Sequence, residues 1–139
     1  MERLNSKRYF NINKLKQMEQ KKNSIENMLQ AMEQELGERP ETMLHISKLN
    51  KDLVYEHAAN KNFAMMGEAI PMKYKLLMSL AISAALGVEN CIETYTKVAL
   101  RKGITTDELM EAIKLARFVK GTTVISSSTN AMKMMVNNK

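Results

Sequence analysis

The stretch IPMKYKLLMSLAISAALGVENCIETYTKVALRKGITTDELMEAIKLARFVKG, residues 70–121, decides the fold. Pro71 suits a first helical turn, where its missing N–H costs nothing, and the strongly apolar run it opens reaches Leu86 before Gly87 interrupts. A second helix is expected from Val88 to Lys102, with Gly103 behind it. Thr105 and Glu108 have the spacing of a capping box, in which hydroxyl and carboxylate satisfy free amides, so a third helix should run from Thr106 to Lys120 and stop at Gly121. Three helices in fifty residues, with no alternating strand pattern, mark an all-α chain.

The flanks read the same way. Downstream, Thr122 to Asn137 should be helical, with Ser126, Ser127, Ser128 and Thr129 small enough to let another helix approach. Upstream, Pro40 to Lys48 and Lys51 to Met66 are expected as helices, and Gly37 with Pro40 should stop a longer one over residues 12–36. In that first helix Leu15, Met18, Ile25, Leu29, Met32 and Leu36 follow the three-four spacing of a coiled-coil seam, interrupted by Lys22. Such a stripe requires a partner, either its own subunit or a neighbouring one. The expected organisation is an N-terminal helical arm over 1–38 and a helical domain over 39–139, together a bundle of six or seven helices.

Composition narrows the functional classes. The chain has 139 residues, 45% hydrophobic and 26% charged, with five Gly, two Pro, 13 Met and no Trp. That is the make-up of one globular domain rich in unbranched helix formers. One cysteine excludes an internal disulfide, and no Cys-plus-His set exists for structural zinc, so a reducing cytoplasm is the expected compartment. The longest uncharged run, Leu76 to Val88, is too short to span a bilayer, and MERLNSKRYF lacks the apolar segment of a secretory signal, so no membrane partner is expected. Net charge is +6, but the basic pairs Lys7-Arg8, Lys21-Lys22 and Arg101-Lys102 are scattered and no aromatic residues alternate with them. Nucleic acid is not expected as a partner. His45 and His57 have no ligand spacing between them, and Met132, Met134 and Met135 suit adaptable packing, so neither metal nor cofactor is expected.

Cys91 carries the most obvious chemistry. With Gly87 ending one helix and Val88 beginning the next, its thiol falls in or just after the first turn, where the helix dipole favours an anion while Glu89 and Glu93 oppose it. The same spacing supports a plainer reading. Val88, Cys91, Ile92, Tyr95, Val98 and Ala99 share a helical face, and a cysteine on such a face is a small core hydrophobe.

Residues 70–121 resemble the carboxymuconolactone decarboxylase family, which includes the alkylhydroperoxidase D-like proteins. The likeness is carried by the opening Lys73 to Leu80, the turn centred on Cys91, and the run from Ala99 to Ile113; Gly37 to Leu44 matches less specifically. It implies an all-α fold whose subunits interlock as a homo-oligomer, a dimer, trimer or hexamer. Redox members carry Cys-x-x-Cys-x-x-x-His with a relay Glu on the preceding helix. Cys91 matches the second, attacking cysteine, while Val88, Tyr95 and Leu76 stand where the first cysteine, the histidine and the glutamate belong. A phenol, with an ordinary pKa of about 10, donates a hydrogen bond but does not readily serve as a base near neutrality. The resemblance therefore implies a peroxiredoxin-type oxidoreductase acting through a single cysteine, with Cys91 and Tyr95 as the candidate catalytic residues, a peroxide as substrate and an external thiol as reductant. A redox-inactive member with a ligand-binding or assembly role, and a lactone decarboxylase-like activity, stand beside it as alternatives.

Overall fold

The computed structural model describes residue 20 and residues 24–138, and every described element is helical. The chain forms two compact units, one up to Met66 and one from Gly67 onward.

In the first unit, residues 24–36 form α1, Glu41–Leu49 forms α2 and Lys51–Met65 forms α3. Gly37, at φ 81°, ends α1 in the left-handed conformation that only glycine adopts without strain, its N–H donating to the Glu33 carbonyl at 2.8 Å. Asn50 serves two helices at once. Its N–H closes α2 on the Ile46 carbonyl, and its side-chain oxygen accepts from the N–H groups of Asp52 and Leu53 to open α3. Ile25, Leu29 and Val54 are buried, and the Lys61 ammonium pairs with Glu35 across α1 and α3. The buried Ile25 and Leu29 belong to the expected seam; Leu15, Met18 and Lys22 lie outside the described residues.

The second unit is built on α4, Met72–Leu86, packed against α5, Glu89–Arg101, and α6, Thr106–Ser127, with α7, Thr129–Asn137, following. Leu76, Leu80, Val98, Ala99, Ile104, Leu109 and Ala116 form its buried core. The capping box forms as expected: the Thr105 hydroxyl accepts from the Glu108 N–H at 3.3 Å, and the Glu108 carboxylate accepts from the Thr105 N–H at 3.0 Å. Glu108 also pairs with Lys73, and Lys120 donates to the Ala85 carbonyl, so α6 is fastened to α4 near both ends of the shared length.

One boundary differs from expectation. Gly121 does not stop α6, which runs on to Ser127 and breaks at Ser128. A glycine ends a helix when it takes positive φ, as Gly87 and Gly103 do; among the positive-φ glycines Gly121 is absent, and it costs α6 only about 1 kcal/mol against alanine. The break falls where hydroxyls compete for the backbone. Ser127 and Ser128 both donate to the Val124 carbonyl, and Thr129 donates to that of Ser126.

Candidate functional site

The α4–α5 corner sets the position of Cys91. Gly87 ends α4 at φ 72°, its N–H donating to the Ser83 and Ala84 carbonyls, and the Val88 N–H reaches back to Ser83 at 3.2 Å. That left-handed turn hands the chain directly to α5. Val88 is the N-cap and carries no capping oxygen, so Glu89, Asn90 and Cys91 fill the first three helical positions. The amides of Glu89 and Asn90 point out of the helix opening, the place where a backbone favours negative charge. The Cys91 N–H donates to the Val88 carbonyl at 3.1 Å, holding the residue in the first turn.

Cys91 is a free, exposed cysteine, and this corrects the expectation that it packs as a core hydrophobe. The buried side of α5 is centred on Val98 and Ala99, with Ile92 and Tyr95 half-buried ahead of them. Val88 and Cys91 are exposed and stand at the rim of the expected face. Tyr95 follows Cys91 by four residues, so both side chains share one side of α5, the thiol outermost and the phenol partly covered. Glu89 and Glu93 are exposed nearby, and Glu93 pairs with Lys97 at 3.6 Å.

Leu76 lies in the buried core of the second unit, so the place of the family's relay glutamate is filled with hydrocarbon. Lys75, next to it, gave no signal in the sequence. It is buried, and its ammonium donates to the Gly67 carbonyl, tying the segment before α4 to that helix. A lysine adjoining an apolar run reads as a solvated residue unless the loop carbonyl it reaches is known. His45 and His57 lie on α2 and α3, and among the described residues no group of three metal-ligating side chains comes together. No described helix is long and apolar enough to cross a membrane.

A helical unit presenting one cysteine from the first turn of its second helix, on a corner made by a left-handed glycine, has the layout of an all-α thiol-bearing fold. The pattern of the carboxymuconolactone decarboxylase family matches residues 52–134, and the chain belongs to that family. The match starts at the second residue of α3 and runs through α4, α5 and α6 into α7. No individual curated protein matches the sequence.

Proposed function

We propose that the protein is a thiol-dependent, peroxidase-like oxidoreductase that works through Cys91 alone. The observation that carries this reading is the exposure of Cys91 at the third position of α5, beside the outward-facing amides of the helix opening and one helical turn before Tyr95. In the reaction, the Cys91 sulfur as thiolate attacks the terminal oxygen of a hydroperoxide. The S–O bond forms as the O–O bond breaks, and the thiolate is oxidised to a sulfenic acid. The departing alkoxide takes a proton from the Tyr95 hydroxyl, which water restores. Because Cys91 is the sole cysteine and Val88 holds the place of a resolving thiol, reduction falls to an external thiol. One equivalent condenses with the sulfenic acid to a mixed disulfide and releases water; a second releases the Cys91 thiol and leaves as the external disulfide. Sulfur carries both electrons. The exposed Glu89 and Glu93 disfavour anionic substrates and so favour a neutral hydroperoxide. A reducing cytoplasm supplies the thiol, and the working form is a homo-oligomer.

The test is chemical trapping. One equivalent of a neutral organic hydroperoxide should convert Cys91 to a species that a dimedone-type reagent captures, read by mass spectrometry, and Cys91→Ser should abolish both adduct and turnover. Val88→Cys should allow an internal disulfide to replace the trapped species if the first-turn geometry brings the sulfurs within bonding reach. If native Cys91 resists both peroxide and a neutral alkylating agent until the chain unfolds, the redox reading fails.

A further inference from the structure

Gly121 stands inside α6 without a local reason to be glycine. It does not take positive φ, and a Cβ built on it would meet nothing within 4 Å, so neither a turn nor a close neighbour excludes a side chain there. A glycine in a helix interior costs stability against alanine, and here it leaves bare backbone exposed to water. The preceding Lys120 donates to the Ala85 carbonyl one residue before α4 ends at Leu86, and α6 runs on past that end to Ser127. The outer side of this stretch, turned away from the buried Leu109 and Ala116, holds an open-topped cavity of about 410 Å³. Gly121 forms its floor, Phe118 and Ile125 its apolar walls, Lys114 and Arg117 one end, and Thr122 completes the lining. Phe118 is 67% and Ile125 63% exposed, large apolar groups that their own unit leaves in water.

We propose that this cavity binds an amphiphilic oxyanion, a carboxylate or phosphate monoester carried on an unbranched alkyl body. The site is separate from Cys91 and does not rest on its chemistry. Charge selects the head. Lys114 and Arg117 are three residues apart, so their Cβ atoms are neighbours on the helix surface, about 5–6 Å from each other, and both side chains can reach one anion, the guanidinium with paired donors. Among the described residues neither takes part in a hydrogen bond or ion pair, unlike Lys73, Lys97 and Lys120. The nearest acid on α6 is Glu111, and residues 112–138 contain none. Thr122 donates its hydroxyl to the Val119 carbonyl at 2.7 Å, which leaves the two cations as the side-chain donors of the lining. Shape selects the body. From Arg117 to Ile125 the helix rises roughly 12 Å at about 1.5 Å per residue, the reach of an extended chain of about eight carbons. Such a chain lies over the Gly121 backbone with Phe118 beside it and Ile125 at its far end, and all three lose apolar surface to water together. Apolar walls with a few convergent polar groups are the ordinary make-up of a small-molecule site.

Titration of the nitrogen-15-labelled full chain with sodium octanoate tests the site. The backbone amides of residues 114–125 should move as one saturable set at millimolar concentration or below. Acetate, a head without a body, and 1-octanol, a body without charge, should each bind at least about fivefold more weakly, the scale of one exposed charge pair. Lys114→Gln and Arg117→Gln should each weaken octanoate by about two- to fivefold and leave octanol unchanged. Gly121→Leu places a side chain on the floor and should abolish the saturable set. The same substitution should raise the melting temperature, because a strong helix former replaces glycine where nothing obstructs it, so lost binding cannot be lost folding. Octyl phosphate run beside octanoate identifies the head, the tighter of the two naming phosphate or carboxylate. Four results overturn the site: octanoate and octanol binding equally, which makes the face a plain apolar surface; Gly121→Leu binding like wild type; amides 114–125 moving with protein concentration in the absence of ligand, which gives the face to another chain; or no saturable shift at millimolar octanoate.

Discussion

At the scale of single residues, the chemistry proposed for Cys91 turns on what lies one helical turn away. Tyr95 is half-buried, which limits the rotamers of its ring, and its hydroxyl is the group of α5 suited to give a proton to a departing alkoxide. Tyr95→Phe keeps the ring and deletes the oxygen. The expected outcome is a fall of about tenfold or more in the rate of sulfenic acid formation, the scale of one lost hydrogen bond to developing charge, with no change in the rate at which a neutral reagent alkylates Cys91. Equal losses in both rates would show that the phenol acts on the sulfur's surroundings and not on the leaving group. The position of Cys91 was legible in the sequence because Gly87 and Val88 fix where α5 begins. Its exposure was not. A face that includes Val88, Cys91, Ile92, Tyr95, Val98 and Ala99 is wide, and only the partners packed against α5 decide that Val98 and Ala99 lie at its centre and Cys91 at its rim.

At the scale of elements, the join between α4 and α6 has a pH dependence that can be worked out. Glu108 is held below its ordinary value of 4.5, first by its hydrogen bond with Lys73 and then by the Thr105 backbone N–H. Lys73 is raised above 10.5, first by the same hydrogen bond. A lowered carboxyl contributes its full stabilisation above its ordinary value and loses it as pH falls through the lowered one; a raised ammonium contributes fully below its ordinary value and loses it as pH rises through the raised one. The pair therefore supports the fold throughout the neutral range and fails at both extremes. Glu108→Gln preserves a capping oxygen while removing the charge. It should lower the melting temperature modestly near neutrality, and the difference from wild type should narrow as pH falls below 4.5, which thermal scans across pH would measure. Element boundaries were legible wherever glycine takes positive φ, at Gly37, Gly87 and Gly103. Gly121 carries the same letter without that conformation, and the true end of α6 is set by hydroxyls returning to their own carbonyls, a competition that sequence leaves open.

At the scale of the whole molecule, the surplus of 21 basic over 15 acidic side chains invites the question of an anionic partner. The cations are spent on varied tasks. Lys61 pairs with Glu35, Lys73 with Glu108 and Lys97 with Glu93, while Lys75 and Lys120 donate to backbone carbonyls. Affinity for duplex DNA should accordingly be no tighter than ordinary non-specific binding, about 10⁻⁴–10⁻⁶ M at physiological salt, and should drop steeply as salt rises, as fluorescence anisotropy at two ionic strengths would record. Sequence-dependent binding that survives physiological salt would contradict this. The overshoot of α6 beyond α4 has a consequence for local opening as well. Amides up to about Lys120 share the cooperative unfolding of the unit to which they are fastened, whereas those beyond it are held by helical hydrogen bonds alone and open by fraying from the α7 end. Hydrogen–deuterium exchange along this one stretch of helix should therefore show a step near the Lys120–Ala85 fastening in dilute protein. A single continuous helix should thus record two stabilities, that of the folded unit before the fastening and that of its own fraying beyond it.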